Sequence, residues 1–276
     1  METLRKTVCF AVGAWVILWS ASACSVKEDR RECPVYVTVL TDRFIQGGMD
    51  AGTVSFSAAT LINREDISFL SIIGKGYTQA CPRDYARAAV LSGVENGRMM
   101  EEALIYPPGR QADLLWISSE IFSRNADEYV IEAEPHKQYC MVKFMFDESP
   151  RAPEGYPWRF RIKAGCSGLN IYTREPIEGE YSSAVGPNAV GEWYGVIPRQ
   201  KANNMLLEVF LPYEDSETEG RLEYTLDLGK SFEKIGYDWT EEDLKDVAVK
   251  VGYTSAELSV AILDWEGDNS YLNEEI

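Results

Sequence analysis

The 276-residue chain holds a single histidine, His136. That excludes any site built on paired imidazoles, the HExxH zinc hydrolases included, and it leaves a Ser-His-Asp triad only one position for its base. His136 stands in Glu134-Pro135-His136-Lys137, a polar junction whose expected role is an exposed linker. No two cysteines form a CxxC pair, so neither a zinc ribbon nor a thioredoxin-like redox site is indicated. A phosphate-cradling loop is missing too, because Gly165-Cys166-Ser167-Gly168 lacks the lysine and the spacing of a P-loop. Positive charge is scarce, with 27 Lys and Arg against 44 Asp and Glu and a net charge of −17. Such a body repels phosphate backbones, which argues against nucleic-acid partners, and it disfavours wide adhesion to anionic lipid.

Carboxylates are abundant, and abundance alone produces clusters. Glu175, Glu178 and Glu180, and again Asp215, Glu217 and Glu219, read as solvated loops rather than the facing acid pair of a glycosidase. Asp264-x-Glu266-x-Asp268-Asn269 alternates acids in the manner of a calcium loop, without the central glycine and distal glutamate of an EF-hand. No catalytic residue, metal ligand or cofactor-binding residue is expected, and the chain reads as a non-enzyme.

What is present begins with the N-terminus. Arg5 and Lys6 precede an apolar run from Val8 to Trp19, followed by the small residues Ser20-Ala21-Ser22-Ala23 and then Cys24. A membrane-spanning helix needs about 20 apolar residues, so this shorter run is read as a secretory signal peptide, residues 1–23. Small residues directly before a cysteine resemble a lipobox, in which Cys24 becomes a diacylated N-terminus. Ala21 stands where the usual lipobox has leucine. One acyl chain holds a protein to a bilayer only weakly, at about 0.8 kcal/mol per buried CH₂, whereas two or three chains give durable anchoring. Residues 24–33 then form a charged tether, in which Lys27-Glu28-Asp29 resembles the surface-export signal of Bacteroidetes lipoproteins. Without residues 1–23 the chain would have 253 residues and a charge of −18, enough for two ordinary domains.

The body reads as strands. Val35–Leu40, Thr53–Ala58, Leu114–Ile117, Tyr129–Ala133, Tyr139–Phe146, Met205–Leu211, Leu222–Leu228, Val247–Tyr253 and Leu258–Trp265 are short and rich in β-branched or aromatic residues. The clearest is Trp158–Ala164. There Trp158, Phe160 and Ile162 alternate with Arg159, Arg161 and Lys163, the period of a half-buried strand. Two short helices are expected, Asp84–Leu91 and a turn or so from an N-cap at Thr240 to about Asp246. Short strands between Gly, Pro and Asp clusters predict an all-β fold of β-sandwiches. The domain boundary is placed near Pro135, giving sandwiches over 34–135 and 136–276, in preference to the proline-rich 150–157. Cys33, Cys81, Cys140 and Cys166 remain for pairing, and the sequence leaves open which of them, if any, form disulfides. Trp158 and Trp265 lie in strand patterns and are expected in the core. Other aromatics could stack on sugars, which keeps a surface glycan-binding lipoprotein as the alternative function.

Cys24-Ser25-Val26-Lys27-Glu28-Asp29-Arg30-Arg31-Glu32-Cys33-Pro34 resembles the start of the FimB-like fimbrial anchor lipoproteins, the fimbrillin-associated anchor subunits of Bacteroidales type V pili. Further likeness lies in Gly168-Leu169-Asn170-Ile171-Tyr172, Pro176-Ile177-Glu178-Gly179-Glu180-Tyr181 and Ile197-Pro198-Arg199-Gln200. It continues in Gly236-Tyr237-Asp238-Trp239 with Asp243-Leu244-Lys245-Asp246, and in Val260-Ala261-Ile262-Leu263-Asp264-Trp265. The resemblance implies two tandem transthyretin-like β-sandwiches and no enzymatic activity. It implies a lipid-anchored outer-membrane subunit exposed at the cell surface, joined to fimbrillins by β-strand complementation. In stalk subunits of such pili an Arg-specific protease trims the N-terminus. Cutting at Arg30 or Arg31 here would remove the lipid, so an anchor is expected to escape it.

Overall fold

The computed structural model describes residues 33–58, 61–123, 125–146, 158–188, 191–213, 220–254 and 257–264. The chain is mostly β. In order, the first elements are β1 (Val35–Leu40), α1 (Asp42–Gln46), β2 (Ala51–Ser57), β3 (Ile62–Ser68) and a 3₁₀ turn (Phe69–Ile72). There follow β4 (Tyr77–Cys81), β5 (Arg87–Ser92), β6 (Arg98–Met100), β7 (Ala103–Ile105), β8 (Trp116–Ile121), β9 (Glu128–Glu132) and β10 (His136–Lys137). Then come β11 (Tyr139–Phe146), β12 (Arg159–Asn170), β13 (Pro176–Pro187), β14 (Trp193–Pro198), β15 (Leu206–Pro212) and β16 (Gly220–Asp227). The chain continues through α2 (Leu228–Lys234), β17 (Val247–Thr254) and β18 (Glu257–Asp264).

One pairing scheme occurs twice. In the first half β1 pairs β4 antiparallel on one side and β9 parallel on the other, while β2 joins β3 and β5, and β5 joins β8. In the second half β11 pairs β14 antiparallel and β17 parallel, while β12 joins β13 and β15, and β15 joins β16. Each opening strand is thus an interior strand of its sheet, paired on both sides. The second half adds β18, antiparallel to β17, and a contact between β13 and β14. The first half adds β10, which pairs β8.

Two apolar clusters fill these sheets. The smaller gathers Val35, Val37 and Val39 of β1, Val54 and Phe56 of β2, Val90 of β5, and Phe44, Phe69 and Phe122 around them. The larger holds Phe160 and Ile162 of β12, Val142 of β11, Val196 of β14 and Phe232 of α2, and it also takes Leu91, Leu104, Tyr106, Leu115 and Ile117 from earlier in the chain. Strands β2 and β5 therefore carry buried apolar or small side chains on both faces, over Val54–Ser57 and Ala88–Ser92. Ser55 and Ser57 on β2 are fully buried. The Ser55 hydroxyl meets the second half directly, and the Ser57 hydroxyl meets Glu102, which in turn contacts that half. Ser55 Oγ lies 2.7 Å from Tyr172 Oη, and Ser57 Oγ donates to Glu102 Oε1 at 2.9 Å. Arg87 pairs with Glu102 and lies over the Tyr172 ring, Asn170 Nδ2 donates to Glu102 Oε2 at 3.4 Å, and Ile171 N–H donates to the Glu102 carbonyl at 2.8 Å. Beside this seam β7 pairs β12, and the Gly168 position admits no side chain because an added Cβ would lie 2.1 Å from the Leu104 carbonyl oxygen.

Several expectations need correction. Residues 87–91 of the expected helix Asp84–Leu91 fall in β5, flanked by β2 and β8 and buried at Ala88 through Leu91. The alanine-rich composition suits a helix locally, but a strand position buried on both faces selects small and β-branched residues too, and the tertiary demand wins. Residues Thr240–Asp246 form turns and bends. Asp238 Oδ1 accepts from both the Thr240 N–H at 2.8 Å and the Thr240 hydroxyl at 2.7 Å, and the carbonyls of Trp239 and Glu242 accept from Arg199, so the groups a first helical turn would need are taken. A helix not expected from the sequence runs from Leu228 to Lys234, capped by Asp227 Oδ1, which accepts the Lys230 N–H at 3.0 Å. His136 is not an exposed linker residue; it lies in β10 with its side chain only 17% exposed. The strand Tyr139–Phe146 has the expected bounds, and Trp158, Phe160 and Ile162 are buried as their alternation requires. Trp265 and the acidic stretch after Asp264 lie outside the described residues, as does the proline-rich 150–157.

Candidate functional site

The sequence places lipidation at Cys24 and surface export at Lys27, Glu28 and Asp29. These four residues lie outside the described residues, as do Arg30 and Arg31. The described chain begins at Cys33. Pro34 leads into β1, whose Val35, Val37 and Val39 are fully buried. β1 is a central strand bonded on both edges, along Val35–Val39 to β4 and along Tyr36–Leu40 to β9. No helix among the described residues is long and apolar enough to cross a membrane.

Sheet edges are the surfaces on which another strand can be added. Among the described residues, β4 and β9 border one sheet, β3 and β10 the second, and β16 and β18 the large one. Val130 on β9 and Leu222 and Tyr224 on β16 are exposed apolar side chains at such borders.

Scattered motifs of the second half converge on one side chain. Arg199, at the end of β14, is buried. Its Nε donates to Gln138 Oε1 at 2.9 Å, its Nη2 to the Glu242 carbonyl at 3.0 Å, and its Nη1 to the Trp239 carbonyl. Burial pulls its pKa down first, and the positive charge of Arg174 adds to that. Next to it, Gln200 spans the irregular pairing of β12. Its Oε1 accepts the Cys166 N–H at 2.9 Å, and its Nε2 donates to the carbonyls of Cys166 at 3.0 Å and Pro198 at 2.8 Å. Trp239 Nε1 donates to Asn203 Oδ1 at 2.7 Å, and Tyr237 Oη donates to the Lys245 carbonyl at 2.7 Å. Asp246 Oδ1 accepts from Met141 N–H at 2.8 Å and from Lys137 Nζ at 2.5 Å. Residues 237–246, without regular secondary structure, are thus held by side chains whose partners come from β10, β11, β14 and the loop after β14. The arrangement is a scaffold, in which Arg199 and Asp246 tie backbone and side-chain groups of separate segments together.

The remaining candidates sort in the same direction. His136 sits between two acids, Nε2 at 3.2 Å from Glu242 Oε1 and Nδ1 at 3.3 Å from Asp243 Oδ2, with no nucleophile in that set. Glu178 pairs with Lys201 at 2.9 Å and Glu180 with Lys163 at 2.9 Å, so the Glu175–Glu180 cluster is a salt-bridged strand surface. Asp215, Glu217 and Glu219 lie outside the described residues. Among the described residues no three His, Cys, Asp or Glu side chains are grouped to hold a metal. Cys33, Cys81, Cys140 and Cys166 are free thiols, the first exposed and the others buried. Burial pushes Cys81 up to about 11 and Cys140 up to about 12, and it raises Cys166, so none of these three is poised as a nucleophile. Among the described residues, Trp158 and Trp239 are buried, while Trp116 and Trp193 pack against the larger core, so none of these four forms an exposed stacking platform.

No protein-family model matches this chain, and no curated protein matches it. Solved structures do. The fimbrial anchor protein Mfa2 from Porphyromonas gingivalis superposes with a TM-score of 0.56 at 11% identity, covering 84% of this chain and 98% of that one. A candidate adhesin from Bacteroides ovatus gives 0.54 at 11% identity, covering 87% and 95%. A candidate polysaccharide-binding protein from Bacteroides thetaiotaomicron gives 0.52 at 9% identity, covering 86% and 99%. The likeness is one of fold, and it extends over nearly the whole of each relative.

Proposed function

We propose that this protein is a lipid-anchored subunit at the base of a surface fimbria, or a related minor structural subunit. The observation that carries the reading is the fold shared with a fimbrial anchor over 98% of that anchor's length. In this reading residues 1–23 are a signal peptide, Cys24 carries the acyl chains, and Lys27-Glu28-Asp29 directs the protein to the outer face of the outer membrane. Residues 34–135 and 136–276 are tandem transthyretin-like sandwiches, a division supported by the pairing scheme that recurs in β1–β9 and β11–β17. Fimbrillins join by adding a strand, for which main-chain hydrogen bonds give affinity and alternate side-chain pockets give register. In this reading the attachment is the function, and no catalysis is asked of the chain.

Two experiments test this. Cys24→Ala should shift the protein from the membrane to the soluble fraction, and a variant that stays firmly membrane-bound refutes the tether. Deleting the gene should release fimbriae into the medium or alter their length, and unchanged cell-bound fimbriae refute the anchor role.

A second reading, a surface glycan-binding lipoprotein, is favoured by the shared fold with the candidate polysaccharide-binding protein. Calorimetric titration against a panel of polysaccharides tests it, and a flat response across the panel removes it.

A further inference from the structure

A cleft of about 510 Å³ opens beside the Arg199 scaffold, between the turn at Thr173–Pro176 and the segment Trp239–Glu242. That volume lies within the range of small-ligand sites. Three cations, Arg174, Arg199 and Lys201, and three acids, Glu175, Glu241 and Glu242, line it. Arg199 is committed to the scaffold and Lys201 pairs with Glu178 at 2.9 Å, so Arg174 is the cation whose partner belongs to the cleft itself. Arg174 takes a positive φ of 60°, a conformation non-glycine residues seldom adopt, and its amide is fixed by donation to the Asn170 carbonyl at 2.8 Å. The turn is therefore held in the shape that presents the guanidinium to the cleft. Its occupant is Glu242, whose Oε1 receives Arg174 Nη1 at 3.4 Å and Nη2 at 3.3 Å. Both nitrogens fall on one oxygen at long range, short of the parallel two-oxygen fork that guanidinium and carboxylate prefer. Glu242 is 60% exposed, and the same oxygen lies 3.2 Å from His136 Nε2.

We infer that this cleft binds a uronic-acid-containing saccharide, with the ligand carboxylate replacing the Glu242 side chain on Arg174. The inference rests on the glycan-binding reading above and not on the anchor reading. The rim selects the ligand class. Glu175 and Glu241 flank the cations, so an acidic peptide carrying several charges meets repulsion. A sugar acid brings one carboxylate for Arg174 and several hydroxyls, which donate to the rim carboxylates and the Thr side chains. Thr173 and Thr240 add polar groups to the lining, and Pro176 adds apolar wall.

The test is calorimetry on the purified full chain with trigalacturonic acid, its fully methyl-esterified form and a neutral galactose trisaccharide. The expected result is binding of the acid alone, weakened tenfold or more in Arg174→Gln. Glu242→Gln, which removes the competing carboxylate, should bind up to about fivefold tighter, the scale of an exposed ion pair. Circular dichroism of both variants establishes that they fold. Equal binding of acid and ester, or unchanged affinity in both variants, overturns the assignment of this cleft and leaves the glycan reading in place. No binding of any of the three saccharides overturns the assignment, and the polysaccharide panel then decides the broader reading independently.

Discussion

Arg199→Met keeps the length of the side chain and removes its charge and all its donors. In the native chain the guanidinium serves three acceptors: Gln138 Oε1, the Trp239 carbonyl and the Glu242 carbonyl. Leaving a buried acceptor without a partner costs about 1–3 kcal/mol, but not all three are equally enclosed. The Glu242 carbonyl still receives Gln138 Nε2 at 3.3 Å and lies near the surface, where water can reach it. Counting the Gln138 and Trp239 oxygens as the principal losses gives about 3 kcal/mol, tempered by relief of the cost of burying the guanidinium. Residues 237–246 have no regular secondary structure to fall back on, so the loss should be local first. Amide hydrogen exchange across 237–246 should accelerate by roughly 150-fold, while β1 and β2 change little. The native chain and Arg199→Lys serve as references; Lys restores the charge but not the planar fork, and should recover only part of the protection. If Arg199→Met leaves exchange in 237–246 within about threefold of native, the hydrogen-bond argument for this scaffold is wrong.

Three further outcomes are expected. Glu102 is raised by burial but lowered more by hydrogen bonds from Ser57, Arg87 and Asn170 and by the Arg87 charge, so its pKa lies below the ordinary 4.5. A depressed carboxylate contributes stability that is present above its unfolded value and lost as pH falls through the folded one. The seam should therefore weaken only below about pH 4.5, and Glu102→Gln should flatten that acid limb in a series of urea melts; an identical acid limb refutes the assignment. Gly168→Ala forces a Cβ against the Leu104 carbonyl and should cost about 2 kcal/mol, lowering the melting temperature by roughly 4–8 °C; an unchanged melt shows that β7 can shift freely. Mass-spectrometric mapping of alkylation at pH 8 should label Cys33 within minutes and leave Cys81 and Cys140 protected until the protein is unfolded; comparable native rates at Cys33 and Cys140 contradict the burial.

Legibility followed periodicity. Strands with one buried face were readable because alternation writes the pleat into the sequence: in β12, Phe160 and Ile162 are buried while Arg161 is exposed. Strands buried on both faces were not. β5 lacks a polar side, and its Arg-Ala-Ala-Val-Leu run carries a helical composition. The single histidine read as a linker because nothing nearby in sequence engages it; its partners, Glu242 and Asp243, lie more than a hundred positions away. The second-half motifs were visible as motifs, yet their common purpose was not, since Arg199 meets Gln138, Trp239 and Glu242 only through the fold.

The sequence by itself determined the β class, the acidic character, the lack of paired imidazoles and the expectation of an acylated tether at Cys24. These depend on composition and on patterns a few residues long, which local sterics and charge make independent of context. Only the tertiary structure decided which strands are buried twice, where the two halves meet, with Ser55 and Arg87 on Tyr172 and Glu102 on Asn170 and Ile171, and which basic groups share a cleft. Those outcomes depend on contacts between residues far apart in the chain, and the energy that selects them exists only when the sheets have closed on each other.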